Sequence, residues 1–262
     1  MTLQHIRAVI SDMDGVLWEG NQPLPGIQTL FAFLRERQLP FALATNNSTN
    51  SPANYVLKLA KMGVPDIPET SIITSSIATA LYLQTRYPAG TRLYMVGMAG
   101  LREQLEKAGF VLADHDVQAV VSGGDFEFTY DKAKRATLLI RAGADFIGTN
   151  PDVTFPTPEG LVPGAGSILA MLEAATEKKP LVIGKPEPAM FEAALRILQT
   201  LPEETLMIGD RLDTDIAGAH HAGLQTALVL TGITQRDELP NSPVQPDFVF
   251  DTLEDLLRAW QG

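Results

Sequence analysis

The chain has no cysteine in its 262 residues, which excludes disulfides and thiol chemistry and suits a reducing compartment. A cytoplasmic location is therefore the expectation. Positive charge is scarce. Lys and Arg number 20 against 31 Asp and Glu, and the net charge of −11 argues against a nucleic-acid surface. An anionic substrate is still allowed, because a bound cation reverses the local field. No apolar stretch approaches transmembrane length, and Met1 to Arg7 lack the apolar core of a signal peptide. No membrane partner is expected. Repeats and low-complexity tracts are absent too. Apolar residues are abundant instead, at 45%, enough for a sizeable core in one or two domains.

The run Ala8-Val9-Ile10 reads as a buried strand and ends abruptly in Ser11-Asp12-Met13-Asp14-Gly15. A strand interior has no use for paired carboxylates, since a buried unpaired charge is costly. Two acids at a strand's C-terminal end are better explained by a cation or a reaction. Alternation sends residues i and i+2 to one side, so Asp12 and Asp14 can address one centre. By itself, Asp-x-Asp-Gly also describes a solvated acidic turn.

The rest of the chain decides between these readings. Trp18 to Pro23 reads as a tight loop or small hairpin, with Trp18 a packed aromatic. A helix over about 26–38 has Ile27, Leu30, Phe31 and Leu34 on one face. A second buried strand, Phe41 to Ala44, runs into Thr45-Asn46-Asn47-Ser48-Thr49-Asn50-Ser51. That polar stretch suits a helix cap or an anion-binding nest. A helix over 52–62, a strand over 71–74 and a helix over 75–86 complete a β-α-β-α-β-α order, the pattern of a parallel sheet with helices on both faces.

Beyond a hinge at Tyr87-Pro88-Ala89-Gly90 the pattern restarts, with strands over 93–96, 119–121 and 145–148 and helices over 101–108 and 130–142. A turn-rich segment, Thr149 to Gly166, carries prolines 151, 156, 158 and 163. Asp125, Glu127 and Asp131 read as solvated. After a helix over 167–175 the first pattern resumes. Leu181 to Gly184 reads as a buried core strand ending in Lys185-Pro186. A strand over 205–209 ends in Asp210-Arg211-Leu212-Asp213-Thr214-Asp215, and a last strong strand covers 225–230. The expected division is a core of 1–86 and 180–262 around an inserted α/β domain of 87–179.

Four strands thus end in Asp12/Asp14, Thr45/Asn46, Lys185 and Asp210. In one parallel sheet these ends share an edge, and ligands sit in the crevice there. Carboxylates suit Mg²⁺, a hard cation bound by oxygen, while a lysine and a hydroxyl-amide loop suit a dianion. Together they describe phosphoryl transfer. Gly164-Ala165-Gly166 falls short of a dinucleotide fingerprint, no Gly-Lys-Ser/Thr loop is present, and the adjacent His220 and His221 cannot share a helix face.

Asp12-Met13-Asp14-Gly15-Val16, Thr45-Asn46-Asn47, Gly184-Lys185-Pro186 and Gly209-Asp210-Arg211-Leu212-Asp213-Thr214-Asp215 resemble the four motifs of the haloacid-dehalogenase (HAD) superfamily of phosphatases. Thr-Asn-Asn-Ser, Gly-Thr-Asn-Pro-Asp and the large insertion between the second and third motifs resemble its NagD-like, 4-nitrophenylphosphatase and pyridoxal-phosphate phosphatase branch. The resemblance implies a doubly wound core, a large cap and a Mg²⁺-dependent phosphatase acting on a small phosphorylated metabolite. It implies Asp12 as nucleophile through an aspartyl-phosphate, and Asp14 as the acid and base. Thr45 and the Asn46 amide, with Asn47 beside them, would hold the phosphate, and Lys185 would neutralise charge. Asp12, the Asp14 carbonyl and Asp210 would bind the metal, with Asp215 behind them. Asp152 and Phe155 lie where the resemblance places a substrate-facing loop, although Phe155 also suits simple packing. Dimers are common in the branch, so a homodimer is an expectation. A phosphotransferase or mutase on the same scaffold and a phospho-accepting binding module are the alternatives. The substrate stays open among nucleotide monophosphates, sugar phosphates, phosphoglycolate and pyridoxal phosphate.

Overall fold

The computed structural model describes residues 3–157 and 159–261. Pro158, one of the prolines of the turn-rich segment, lies outside them, as do Met1, Thr2 and Gly262. The fold is α/β, and the chain forms two compact units: residues 1–45, 52–73 and 190–262, and residues 46–51 and 74–189.

The first unit is built on the strand Ala8–Ser11, all four residues of which are buried. Both faces of this strand are covered, which is why its sequence is a continuous apolar run rather than an alternation. It lies inside a six-stranded sheet of order Phe248–Phe250, Gln225–Val229, Thr205–Gly209, Ala8–Ser11, Phe41–Thr45, Ile72–Thr74. The ladders joining the first five are parallel. Chain order runs outward in both directions from Ala8–Ser11, so the strand order reverses there, and the crevice at its C-terminal end is where such sheets bind ligands. Helix Ile27–Glu36 buries Ile27, Leu30, Phe31, Phe33 and Leu34. The final helix, Leu253–Gln261, buries Leu253, Leu256, Leu257 and Trp260, and the Phe33 and Trp260 rings meet at 5.3 Å.

The second unit holds a five-stranded parallel sheet of order Leu181–Val182, Asp145–Gly148, Ala119–Ser122, Arg92–Val96, Val111–Leu112. Tyr94, Val96, Val120 and Phe146 from its strands pack with Ala136, Ile140, Ile168, Leu169 and Leu172 from two helices, Tyr130–Arg141 and Ala165–Thr176.

Four local readings of the sequence change. The strand before Lys185 is not part of the first sheet. Leu181 and Val182 pair with Ile147 and Gly148, and the ladder continues as Ile183 N–H and Gly184 N–H donate to the Gly148 and Thr149 carbonyls. An apolar run announces a strand but not which sheet it joins. Helix Ser75–Arg86 likewise packs on Ala99–Lys107 within the second unit, so residues 46–51, 74–86 and 180–189 of the ranges first assigned to the core belong there. The turn-rich segment contains an antiparallel hairpin, Thr154–Thr157 against Gly160–Pro163, in which Pro156 faces Leu161 and Pro163 faces Thr154. Prolines are tolerated because this two-stranded ladder has open edges. Finally, Asp125 is buried rather than solvated: Lys132 Nζ lies 2.7 Å from its Oδ2, and its Oδ1 accepts the Glu127 N–H. Glu127 and Asp131 are exposed, as are His220 and His221.

Candidate active site

The parallel register brings the acids of the first unit together. Ser11 pairs with Ile208, and the Asp12 N–H donates to the Ile208 carbonyl at 2.8 Å. Asp12 therefore leaves its strand beside Gly209, with Asp210 one residue further on. The five-residue π-helical turn Leu212–Ile216 then carries Asp215 back to the same point. Asp12, Asp210 and Asp215 are all buried, and each offers a carboxylate oxygen within 4.8 Å of the others. Asp215 Oδ2 accepts the backbone N–H groups of Asp210 and Arg211, both at 3.2 Å. Asp210 Oδ2 accepts the Ile233 N–H at 2.7 Å, and the Asp210 carbonyl accepts the Thr234 N–H at 3.1 Å.

Two glycines make this cluster sterically feasible. A Cβ on Gly15 would stand 2.5 Å from Asp210 Oδ2, and Gly15 has φ of +82°. A Cβ on Gly232 would stand 2.0 Å from the same oxygen. Three buried carboxylates repel one another unless a proton or cation intervenes. An all-oxygen donor set of this charge fits a hard divalent cation such as Mg²⁺, and the two glycines leave room for the Asp210 carboxylate.

Asp14 lies just past the strand and is exposed. Its Oδ1 accepts the indole Nε1–H of Trp18 at 2.8 Å. Trp18 is fully buried and stacks on Tyr55, with ring centroids 6.3 Å apart, while Lys58 Nζ sits 4.1 Å from the Trp18 ring centroid. Burial lowers the pKa of Lys58 from the ordinary lysine value, and the Asp14 charge opposes that shift.

Thr45 is the buried last residue of the strand Phe41–Thr45 in the first unit. The second unit gathers its own polar group. Asn46 Nδ2 donates to the Lys185 carbonyl at 3.0 Å, and the Asn46 carbonyl accepts from Ser75 Oγ at 2.6 Å and Asn150 Nδ2 at 2.7 Å. Ser48 Oγ accepts the Gly124 N–H, and the Ser48 carbonyl accepts from Ser76 Oγ. Asn47 Oδ1 accepts both the N–H and the hydroxyl of Thr49, closing the loop. Lys185 is only 3% exposed. Asn150 Oδ1 accepts the Asp152 N–H at 3.2 Å, fixing the entry to the hairpin. Phe155 is half-buried on that hairpin, edge-on to Phe126 at 5.3 Å; Phe126 is 55% exposed. The Phe126 side of the pair is open to solvent.

The structure thus brings Asp12, Asp210 and Asp215 together in one unit and Asn46, Asn150 and Lys185 in the other. Three groups escaped the sequence reading: Trp18 as a donor to Asp14, the Gly232-Ile233-Thr234 segment against Asp210, and Asn150 against Asn46. The second had a usable signal, since it follows the strand Gln225–Val229 of the same parallel sheet, where ligand-binding turns gather.

Residues 9–111 match a family described as haloacid dehalogenase-like hydrolase, and residues 182–256 match a related HAD-hydrolase-like family. A dihydroxyacetone phosphatase of Corynebacterium glutamicum is 39% identical over 251 residues, covering 96% of this chain and 90% of the relative. Among solved structures, a 4-nitrophenylphosphatase from Thermotoga maritima superposes with a TM-score of 0.94 at 37% identity, covering 99% of each chain. NagD from E. coli gives 0.89 at 34% identity, covering 97% of this chain and 98% of NagD. A glycerol phosphate phosphatase from Mycobacterium tuberculosis, in complex with magnesium, gives 0.90 at 31% identity, covering 97% of this chain and 77% of the other. With the parallel sheet and the acidic strand ends, these likenesses place the chain in the haloacid dehalogenase-like superfamily, among its NagD-like phosphatases, and it is a phosphoric monoester hydrolase.

Proposed function

We propose that this phosphatase hydrolyses small hydroxylated phosphomonoesters with Mg²⁺, through a phosphoryl group carried transiently on Asp12. The observation that carries the reading is the buried trio Asp12, Asp210 and Asp215 at the C-terminal edge of a parallel sheet. Asp12, Asp210 and the Asp14 carbonyl are the residues that would hold the cation, and Asp215 supports them by accepting the Asp210 and Arg211 N–H groups. When bound, Mg²⁺ neutralises charge on the phosphoryl oxygens.

The remaining work falls to the chain's own groups. An oxygen of Asp12 forms a bond to phosphorus as the ester P–O bond breaks. Asp14 gives its proton to the departing oxygen, then takes one from the water that attacks the aspartyl-phosphate and releases Asp12. Thr45, the Asn46 amide and Asn47 hold phosphoryl oxygens, and the Lys185 ammonium balances their charge. Asp152 and Phe155 meet the part of the substrate that differs between esters. Relatives named for dihydroxyacetone phosphate and glycerol phosphate support a short polyol ester as the substrate.

A panel of phosphate esters assayed with chelator and then with added Mg²⁺ tests this. Hydrolysis that vanishes and returns, strongest on short polyol phosphates, is expected. Chelator-resistant hydrolysis would overturn the metal assignment. A preference for nucleotides would overturn the substrate class.

A further inference from the structure

The bond from Trp18 to Asp14 carries an inference about how the acid-base group is aimed. Residues 13–18 fold into a tight turn: the Leu17 N–H donates to the Met13 carbonyl at 2.8 Å, and the Gly15 N–H to the Trp18 carbonyl at 2.8 Å. That turn lets the indole reach back four residues. The ring itself has little freedom. It is fully buried, it stacks on Tyr55 with 15° between the planes, and the Lys58 ammonium covers it. Tyr55 and Lys58 both belong to helix Pro52–Lys61, so one rigid element holds the donor in place.

An indole N–H donates and never accepts. Asp14 Oδ1 therefore acts as an acceptor toward Trp18, and because the carbonyl oxygen of a carboxyl is a better acceptor than its hydroxyl, the bond favours a proton on Oδ2. We propose that Trp18, held by Tyr55 and Lys58, is the positioning residue that makes Oδ2 the proton-transferring oxygen of Asp14. The inference rests on the proposed role of Asp14 as acid and base. Trp18 touches neither substrate nor metal in this account; it acts through Asp14 alone.

The chemistry supplies a discriminating readout. An alkyl phosphate needs its leaving oxygen protonated, whereas 4-nitrophenolate departs without a proton. A defect in proton delivery therefore falls mainly on alkyl esters. Trp18→Phe keeps a buried ring for Tyr55 and Lys58 but removes the N–H. Its kcat/KM, which reports phosphoryl transfer from the ester and not the later hydrolysis common to both, should fall about tenfold more on glycerol phosphate than on 4-nitrophenyl phosphate, a fraction of the general-acid contribution. A second variant avoids the volume change. The chain has two tryptophans, Trp18 and Trp260. In a Trp260→Phe background, replacing Trp18 by its benzothiophene analogue substitutes sulfur for N–H in the same shape, and the same selective loss is expected. Asp14→Asn on the two esters separates the levels of the argument. If its kcat/KM shows no leaving-group-dependent loss, the role of Asp14 as acid fails. If it does, while both Trp18 variants lose activity equally on the two esters or not at all, the inference about Trp18 fails and the role of Asp14 stands.

Discussion

The side-chain amide of Asn46 donates to the main-chain carbonyl of Lys185 across 139 residues of sequence, at 3.0 Å. The Asn46 carbonyl in turn receives the Asn150 amide and the Ser75 hydroxyl. Lys185 is thereby held through its backbone by a residue of the polar loop. Asn46→Ala removes the donor and leaves a buried carbonyl without it, which costs about 1–3 kcal/mol. Urea unfolding should show a lowered midpoint, and kcat should fall further than the lost stability accounts for at working temperature. A variant with the parent's midpoint and kcat would contradict this picture.

Asp215 supports Asp210 through the backbone, so its loss should be felt as metal affinity. Asp215→Asn keeps an acceptor oxygen but removes one of the three buried carboxylates. The Mg²⁺ concentration for half-maximal activity should rise about 10–100-fold, the usual cost of losing such support, with kcat at saturating Mg²⁺ reduced less. Calorimetric titration of the protein with Mg²⁺ alone provides a readout independent of turnover. Unchanged affinity in both measurements would remove Asp215 from the site.

Gly15 is required twice over, by its φ of +82° and by the closeness of Asp210 Oδ2 to where a Cβ would stand. Gly15→Ala should destabilise the fold by about 1–2 kcal/mol from the backbone strain alone, and it should also weaken Mg²⁺ binding. Loss of stability with intact Mg²⁺ affinity would mean that the oxygen moves aside without consequence.

Tyr87 donates its hydroxyl to Asp145, and its pKa is raised, first by burial and then by that bond and the Asp145 charge. The folded state therefore keeps this proton to a higher pH than the unfolded chain does. The stabilisation is complete below the ordinary tyrosine pKa of about 10 and declines as pH rises above it. Wild-type stability should fall more steeply than that of Tyr87→Phe between about pH 9 and about pH 11. In ultraviolet titration, the variant should lose a tyrosine that ionises above the ordinary range. Parallel stability curves would contradict the assignment.

The pair of exposed Phe126 and half-buried Phe155 tests where substrates are discriminated. Phe155→Ala and Phe126→Ala each remove half of one edge-on contact, and Asp152→Ala removes a carboxylate at the entry to the same hairpin. These variants should reorder kcat/KM across a panel of phosphate esters by about 1–3 kcal/mol for individual members. A uniform loss across the panel would show that the cluster serves folding instead.

Much of this was legible in the sequence because acids interrupt an otherwise apolar pattern at strand ends. Asp12 and Asp210 each end a fully buried strand, and the parallel sheet class follows from alternating strands and helices. What could not be read was partnership. Leu181 and Val182 look like any core strand, but sheet membership depends on contacts with Ile147 and Gly148, which no local pattern encodes. The hairpin at 154–163 was hidden by its prolines, which mark turns more often than ladders. Asp125 looked solvated because burial by a lysine seven residues on leaves no trace in hydropathy. Trp18 was read as packing, which it is, but its donor to Asp14 depends on the turn geometry of residues 13–18.

The central claim is that Asp12 carries the phosphoryl group. Asp14→Asn should allow that group to be trapped, because water activation is lost while Asp12 and the metal ligands remain. Rapid-quench mass spectrometry of Asp14→Asn with 4-nitrophenyl phosphate, followed by peptide mapping, is the most direct test. The account predicts one phosphoryl group per chain on the peptide containing Asp12, absent in Asp12→Asn. A phosphorylated peptide elsewhere, or rapid turnover by a folded Asp12→Asn protein, would contradict it.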